Sequence, residues 1–506
     1  MRKIYLLCTA ILAGVSLSFA QGVTTSTLNG KITAQSKNVT TDTKPSDADP
    51  IPGANVVATH EPSGTIFGTV SLPDGKFTIP NMRVGGPYKV EVSFVGYQTQ
   101  TFVEIYLKLA EPFSLNISLK EESTTLAEVI VSGIEDKLMN GTLTGSVTNI
   151  GTRQLMGLPT ISRSINDMTR MTPQATSTST GSIGGRNYRQ NYITVDGSDF
   201  NNTFGIGSNL PANGSPISLD ALEEISVNVT PYDIRQSGFI GSSINAVTRA
   251  GTNNFSGSAY TFFRDENQQG NKVKDNTPLV RQDLQVNTSG LRIGGPIIKN
   301  KLFFFLNYET GKTTRPGQTN VAATTAAPFG SAPNISRPLN TELDAISNFL
   351  RTTYNYETGP YEGYENVSDN TRLVGRLDWN INSNHRFNVR YSQVESKDPS
   401  FMSGSRTPFT NYVGTSSSRT TNNALWYKNS NYYQEANFYS WAAELNSTFG
   451  KFANTLRATY THQNDPRSSE SSTFPFVDIL DGTGGNPGVP FTSFGYEPLP
   501  TETSGM

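Results

Sequence analysis

The sequence is poor in the residues on which most redox proteins and metalloenzymes depend. Its 506 residues include one cysteine and three histidines. Cys8 lies so close to the start that it is not read as a lipidation site, and from residue 21 onward there is no thiol. Disulfides, Cys–Zn sites and a cysteine nucleophile are thereby excluded from that part. His60, His385 and His462 stand in separate segments, so no metal site is expected. Asp47-Ala48-Asp49 and Asp196-Gly197-Ser198-Asp199 lack the other ligands of a calcium loop and read as turns. No nucleophile elbow, phosphate loop or dinucleotide fingerprint occupies its required strand–turn–helix setting. The chain is read as a non-enzyme, with no catalytic residue and no cofactor.

Charge of one sign is also lacking. Forty basic side chains face 42 acidic ones, for a net charge of −2, or −4 once Arg2 and Lys3 are removed. That balance gives no electrostatic footprint for nucleic acid. Long apolar runs are missing too. Residues 1–20 read as a signal peptide: Arg2 and Lys3, an apolar stretch from Ile4 to Phe19, and Ser18-Phe19-Ala20 before Gln21. No later stretch approaches the roughly 20 apolar residues of a membrane helix. Any route into a bilayer must then be a closed β-barrel, whose backbone groups pair internally.

What is present is alternation. Leu373, Leu377, Trp379 and Ile381 fall on one side of a strand; Arg372, Arg376, Asp378 and Asn380 fall on the other. After Asn382-Ser383-Asn384, Phe387, Val389 and Tyr391 oppose Arg386, Asn388 and Arg390. Residues 255–462 contain seven such segments. Tiny turns near 299–300, 382–384 and 450–451 alternate with long polar loops at 265–283, 311–370 and 396–434. Transmembrane barrels show this asymmetry, whereas a soluble sandwich needs only the alternation. A hydrophobic content of 35% and a mean hydropathy of −0.39 suit a barrel, where only alternate strand residues face lipid. Trp379, Tyr391, Tyr439, Trp441 and Tyr460 are expected near strand ends as an interfacial girdle. Within the 311–370 loop, Thr341 to Asp344 read as a capping box. Leu343, Ile346, Phe349 and Leu350 read as one face of a packed surface helix.

Residues 23–120 have the spacing of a small sandwich, with strands expected at 28–33, 53–59, 65–70, 76–80, 87–95 and 112–119 and a polar insertion at 36–50. Pro52-Gly53-Ala54-Asn55-Val56, Pro73-Asp74-Gly75-Lys76-Phe77 and Val92-Ser93-Phe94-Val95-Gly96-Tyr97 resemble the carboxypeptidase-regulatory-like domain. Residues 121–134 form a linker. Its run Leu126, Ala127, Glu128, Val129, Ile130 and Val131 resembles the TonB box of TonB-dependent receptors; one more edge strand of the sandwich is the alternative. Residues 135–250 are Gly-, Ser-, Thr- and Asn-rich, with a helix expected over 164–171, and resemble the plug domain of that family. Arg186 leads to an Asp196-Gly197 turn, and Asn245 lies in the closing Ser243–Arg249 stretch. Arg186 and Asp196 must pair or reach water inside a barrel, with Arg372, Arg376 or Asp378 as candidate partners. Thr230-Pro231-Tyr232-Asp233 stands where siderophore receptors carry Arg-Gly-Pro, and Gly294-Gly295-Pro296 precedes an aromatic strand. Both features resemble the Oar-like branch.

The resulting expectation is a mainly β chain: a small N-terminal β-sandwich, a mixed α/β plug, and, over 251–506, the first seven strands of a transmembrane antiparallel β-barrel. At about thirty residues per strand, the roughly 22 strands of a plugged transporter need about 650 residues. The sequence is thus expected to be the N-terminal part of a longer protein. The resemblance implies residence in the outer membrane, with sandwich and plug facing the periplasm. It further implies as partners a TonB-type energy-coupling protein, outer-membrane lipid, a surface lipoprotein and an extracellular ligand, whether glycan, peptide or protein. A surface adhesion protein displaying its loops, and a secreted β-rich binding protein, are the competing readings.

Overall fold

A computed structural model of the chain describes residues 22–35, 49–121, 129–131, 146–176 apart from 159 and 161, 182–201, 216–229, 236, 239–272, 281–402, and 419–496 apart from 451 and 482–488. The first unit is a two-sheet sandwich. Its strands are β1 (Ser26–Ala34), β2 (Asn55–His60), β3 (Thr65–Val70), β4 (Lys76–Met82), β5 (Gly85–Ser93), β6 (Gln100–Leu107), β7 (Pro112–Ser114), β8 (Ile117–Leu119) and β9 (Val129–Val131). One sheet runs β4-β1-β7, with β8 also on β1; the other runs β3-β2-β5-β6-β9. Alternate residues such as Leu28, Ile32, Val56, Ala58, Val90 and Val92 fill the space between the sheets. Strand β6 falls outside the sequence expectation. Glu104, at φ 60, interrupts its period-two pattern, and the pairing with β5 shifts register there. Most of the 36–50 insertion lies outside the described residues.

The second unit is an inner five-stranded sheet. It comprises β10 (Val147–Gly151), β11 (Tyr192–Val195), β12 (Ser198–Asp199), β13 (Leu222–Asn228) and β14 (Ser243–Thr248), in the order β10-β13-β14-β11-β12. Two short helices pack on it, α1 (Thr152–Gly157) and α2 (Ile165–Thr169). Ser164 caps α2 by accepting from the Asp167 N–H and Arg170 closes its other end, so the helix is shorter than the sequence suggests. Every residue of β14 is buried, which requires cover on both faces.

That cover comes from the third unit, a wall of seven sequential antiparallel strands: β15 (Ser256–Asp265), β16 (Gln285–Ile298), β17 (Leu302–Pro316), β20 (Glu365–Asn380), β21 (His385–Ser400), β22 (Tyr432–Phe449) and β23 (Phe452–Asn464). The pair β18 (Val321–Ala323) and β19 (Ile335–Leu339) lies within a connection. Strand parity sorts the side chains. On β17, Phe303, Phe305, Asn307 and Glu309 point inward and are buried, while Leu306 and Tyr308 are about half exposed on the outer face. Phe305, Val374, Val394 and Phe438 join the inner sheet's apolar core. One sheet thus presents a mixed lining and an apolar exterior.

The short-turn end of the wall receives the sandwich. Asn380 donates to the Thr65 hydroxyl (2.9 Å), and the Arg386 guanidinium lies 4.1 Å from the Phe67 ring. At the other end, helix α3 (Asn340–Tyr354) and the short strands β24 (Arg467–Ser468), β25 (Val477–Asp481) and β26 (Val489–Phe494) lie among the long connections. Leu343, Leu350, Tyr356, Leu425, Tyr427 and Phe494 form a separate core there, so the connections fold together. The α3 cap sits earlier than expected: Glu342 accepts from the Leu339 N–H, and the helix begins at Asn340. Phe349 is exposed rather than on the packed face, where Leu343 and Leu350 are buried and Ile346 packs partly buried against the same core. The girdle placement also needs correcting. Tyr391, Trp441 and Tyr460 lie side by side in mid-strand, with Trp379 near a strand end. Their lateral register puts them about 13 Å above Trp379.

Candidate functional site

The Asp196-Gly197 turn brings the inner sheet to the wall. Both residues have positive φ (47° and 78°), the geometry of a tight hairpin turn joining β11 to β12. Asp196 Oδ1 accepts from the Thr248 N–H (2.9 Å), and Oδ2 accepts from the Thr248 hydroxyl (2.6 Å). Two wall arginines approach the same carboxylate: Arg376 Nη1 at 3.5 Å and Arg390 Nε at 3.5 Å. Asp378 chelates Arg376 through two 2.9 Å bonds, and Arg376 also donates to the Thr248 carbonyl (2.9 Å). Arg390 is 1% exposed and donates to Ser198 (2.8 Å) and Ser440 (3.1 Å). Two carboxylates and two guanidiniums therefore balance in a seam largely closed to water, which is the condition for burying charge at all.

Further along the seam, Glu309 is fully buried. It accepts from Ser218 (2.9 Å) and Tyr260, and pairs with Arg372; Arg163 stands 3.8 Å away. Asp220 accepts from Ser258 (2.6 Å) with Arg292 at 3.4 Å. Asn245, on β14, accepts from Thr194 (2.8 Å) and donates to Ser243 (3.2 Å). It stabilises the inner sheet and does not reach the wall arginines.

Of the candidate wall partners, Arg376 meets Asp196 directly, Asp378 acts through Arg376, and Arg372 serves Glu309 instead. Arg186 is separated from this network. It is exposed in the turn before β11 and makes no ion pair among the described residues. Sequence reasoning put Arg390 on the polar side of its strand but not against Asp196, and it missed Glu309, Asp220 and the pair Glu444–Arg457, which meet at 2.6 Å across β22 and β23. The wall members among them share the inward parity of their strands, and that parity was the available signal.

The link after the sandwich is described only at Val129–Val131, which pairs in parallel with Gln100–Phe102 at the edge of the sandwich sheet. Leu126, Ala127 and Glu128 lie outside the described residues. Sandwich and inner sheet meet where Glu224 Oε1 accepts from the Leu109 N–H (2.9 Å), beside Val84, Leu109 and Val247. Burial pushes the Glu224 carboxyl up to about 8. Burial, aided by nearby Arg83, pushes His60 down to about 3, so this histidine is neutral and bonds Ser63 (2.6 Å). No group of metal-ligating side chains occurs among the described residues.

Residues 247–497 match the outer membrane beta barrel domain family, and residues 27–120 match the carboxypeptidase regulatory-like domain. Over 275 residues the chain is 27% identical to the TonB-dependent transporter Oar of Myxococcus xanthus, covering 51% of this chain and 25% of that one. It thus spans about a quarter of the length of the curated relative. Among solved structures, the outer membrane transporter YddB from Escherichia coli aligns with TM-score 0.45 and 11% identity, over 69% of this chain and 43% of that one. The siderophore receptor PirA from Acinetobacter baumannii aligns with TM-score 0.40 and 17% identity, over 68% and 42%.

Proposed function

We propose that this chain, with a carboxypeptidase-regulatory-like domain ahead of an outer-membrane beta-barrel domain, belongs to a TonB-dependent outer-membrane receptor of the Oar-like kind that imports a ligand captured at its long-loop end. In this reading residues 135–250 are the plug. A TonB-type protein in the periplasm pulls on residues 126–131, and the plug shifts against the wall. The ligand is a glycan, peptide or protein.

The observation that carries the reading is the polarity of the seam around Asp196, Glu309 and Asp220. Charged contacts of this kind can be exchanged for water when the sheet moves, so displacement need not expose a continuous apolar surface. The three-residue strand Val129–Val131 fits capture by strand addition, since it is held by a short edge pairing. Deleting Leu126–Val131 from the full-length protein is expected to abolish uptake and leave ligand binding intact. Unchanged uptake would refute the coupling.

A second reading, surface adhesion without transport, draws on the shared core of the long connections, where Tyr356 stacks on Phe474 at 4.2 Å. A Ser198→Cys/Ser440→Cys bridge that leaves uptake unaffected would favour it.

A further inference from the structure

The start of the described chain does not hang free beneath the sandwich. Gly22–Thr25 runs between the wall and the inner sheet before entering β1. Arg457, on β23, donates through Nη1 to the Gly22 carbonyl (2.6 Å) and through Nη2 to the Thr24 hydroxyl (2.6 Å). Thr24 in turn donates to Glu444 Oε2 (2.8 Å), the oxygen that Arg457 itself grips at 2.6 and 2.8 Å. On the opposite side the strand floor is close. A Cβ on Gly22 would stand 2.2 Å from Thr194 Oγ1 and 2.4 Å from Asn245 Oδ1. The Arg457 guanidinium also lies against the Asp196-Gly197 turn, 2.6 Å from where a Gly197 Cβ would be. One arginine therefore touches the amino-terminal segment, the wall and the turn that carries the central ion pairs.

We infer that this is a binding site whose ligand is the chain's own amino-terminal segment, and that residues 22–25 act as a latch holding the inner sheet against the wall through Arg457. The segment leads directly into the sandwich, and the other end of the sandwich leads into residues 121–134. A pull on 126–131 that shifts the sandwich withdraws the latch first, and the inner sheet is then released. The inference deepens the coupling reading and rests on it only for what withdraws the latch.

Residues 9–506 contain no cysteine, so with any cysteine elsewhere in the full-length protein replaced by serine, a single introduced thiol reports on the inner sheet. Ser226 is fully buried on β13 and its hydroxyl has no hydrogen-bond partner among the described residues, so Ser226→Cys is a conservative reporter for reaction with a membrane-impermeant maleimide. In the full-length protein in cells, adding Gly22→Val is expected to raise basal labelling about tenfold, the scale of losing one charge-assisted hydrogen bond. Thr24→Val, at a partly exposed position, should do the same more weakly should Gly22→Val fail to assemble. Unchanged basal labelling in both variants overturns the latch. Bridging Thr24→Cys to Glu444→Cys with a short bis-maleimide, before the reporter is read, is expected to suppress any rise in labelling that an energised inner membrane produces. A rise that persists in the bridged protein also overturns it. If energisation changes nothing even without the bridge, the coupling reading fails, and basal labelling of the two latch variants decides the latch.

Discussion

Asp196 Oδ2 lies 3.5 Å from Nε of Arg390, tying the tightest turn of the inner sheet to the middle of a wall strand. Among the described residues Arg390 has no other carboxylate as near, whereas Asp196 has Arg376 at the same 3.5 Å. Arg376, the other cation on Asp196, is shared with Asp378.

Asp196→Ala should therefore cost about 3–5 kcal/mol of inner-sheet stability, because it strands Arg390 in a buried site with only serine hydroxyls. Asp196→Ala combined with Arg390→Met should recover more than about 1 kcal/mol of that loss, since two oppositely charged neighbours do not act independently. Proteolytic susceptibility of residues 182–201 in denaturant, measured over the full double-mutant cycle, is the readout. Additive losses would show that the pair is not a unit.

The contact between sandwich and inner sheet should depend on pH. Glu224 is neutral when folded up to about pH 8, whereas the exposed carboxyl ionises near its ordinary value of 4.5. Between those values the unfolded state binds fewer protons than the folded one, so stability falls as pH rises and levels off above about 8. A shift of this size corresponds to a few kcal/mol across the window. Glu224→Gln keeps an acceptor for the Leu109 N–H and cannot ionise, so its melting temperature should lose this slope. A wild-type profile flat from pH 5 to 8 would contradict the assignment.

Much of the wall was legible because barrel strands obey a rigid parity. Arg372, Arg376 and Arg390 were readable as inward and Leu377, Trp379 and Tyr391 as outward from sequence alone, and the seven segments stand where the alternation put them. The pairing of particular charges was not legible. Asp196 and Arg390 meet only because the sheet order β14-β11-β12 carries the turn against β21, and such tertiary order leaves no local periodicity. Strand β6 was hidden by its bulge at Glu104, and Arg186 looked like a seam residue only because it precedes Asp196 in a familiar pattern.

The outer face of the wall should reject charge by position. Leu306 is 48% exposed among apolar neighbours, so Leu306→Arg should cost about 2–4 kcal/mol if that face meets the hydrocarbon midplane. Refolding of the full-length protein into lipid vesicles, compared with wild type in urea, measures this. A near-zero change would place that strand height at the interface or in water.

Gly197 offers a test that separates backbone strain from contact. Its φ of 78° is close to that of Gly185 (71°), so an alanine at either position carries the left-handed penalty of roughly 1 kcal/mol. Among the described residues, only at Gly197 does the new methyl meet something: Arg457 at 2.6 Å, against nothing within 4 Å at Gly185. Gly197→Ala should thus destabilise the seating of the inner sheet by more than Gly185→Ala. The excess should shrink when Arg457→Ala is added, because the obstructing guanidinium is then gone. Equal effects of the two alanines would mean that Arg457 yields freely, and that the turn is held by Asp196 and Thr248 rather than by contact with the wall strand.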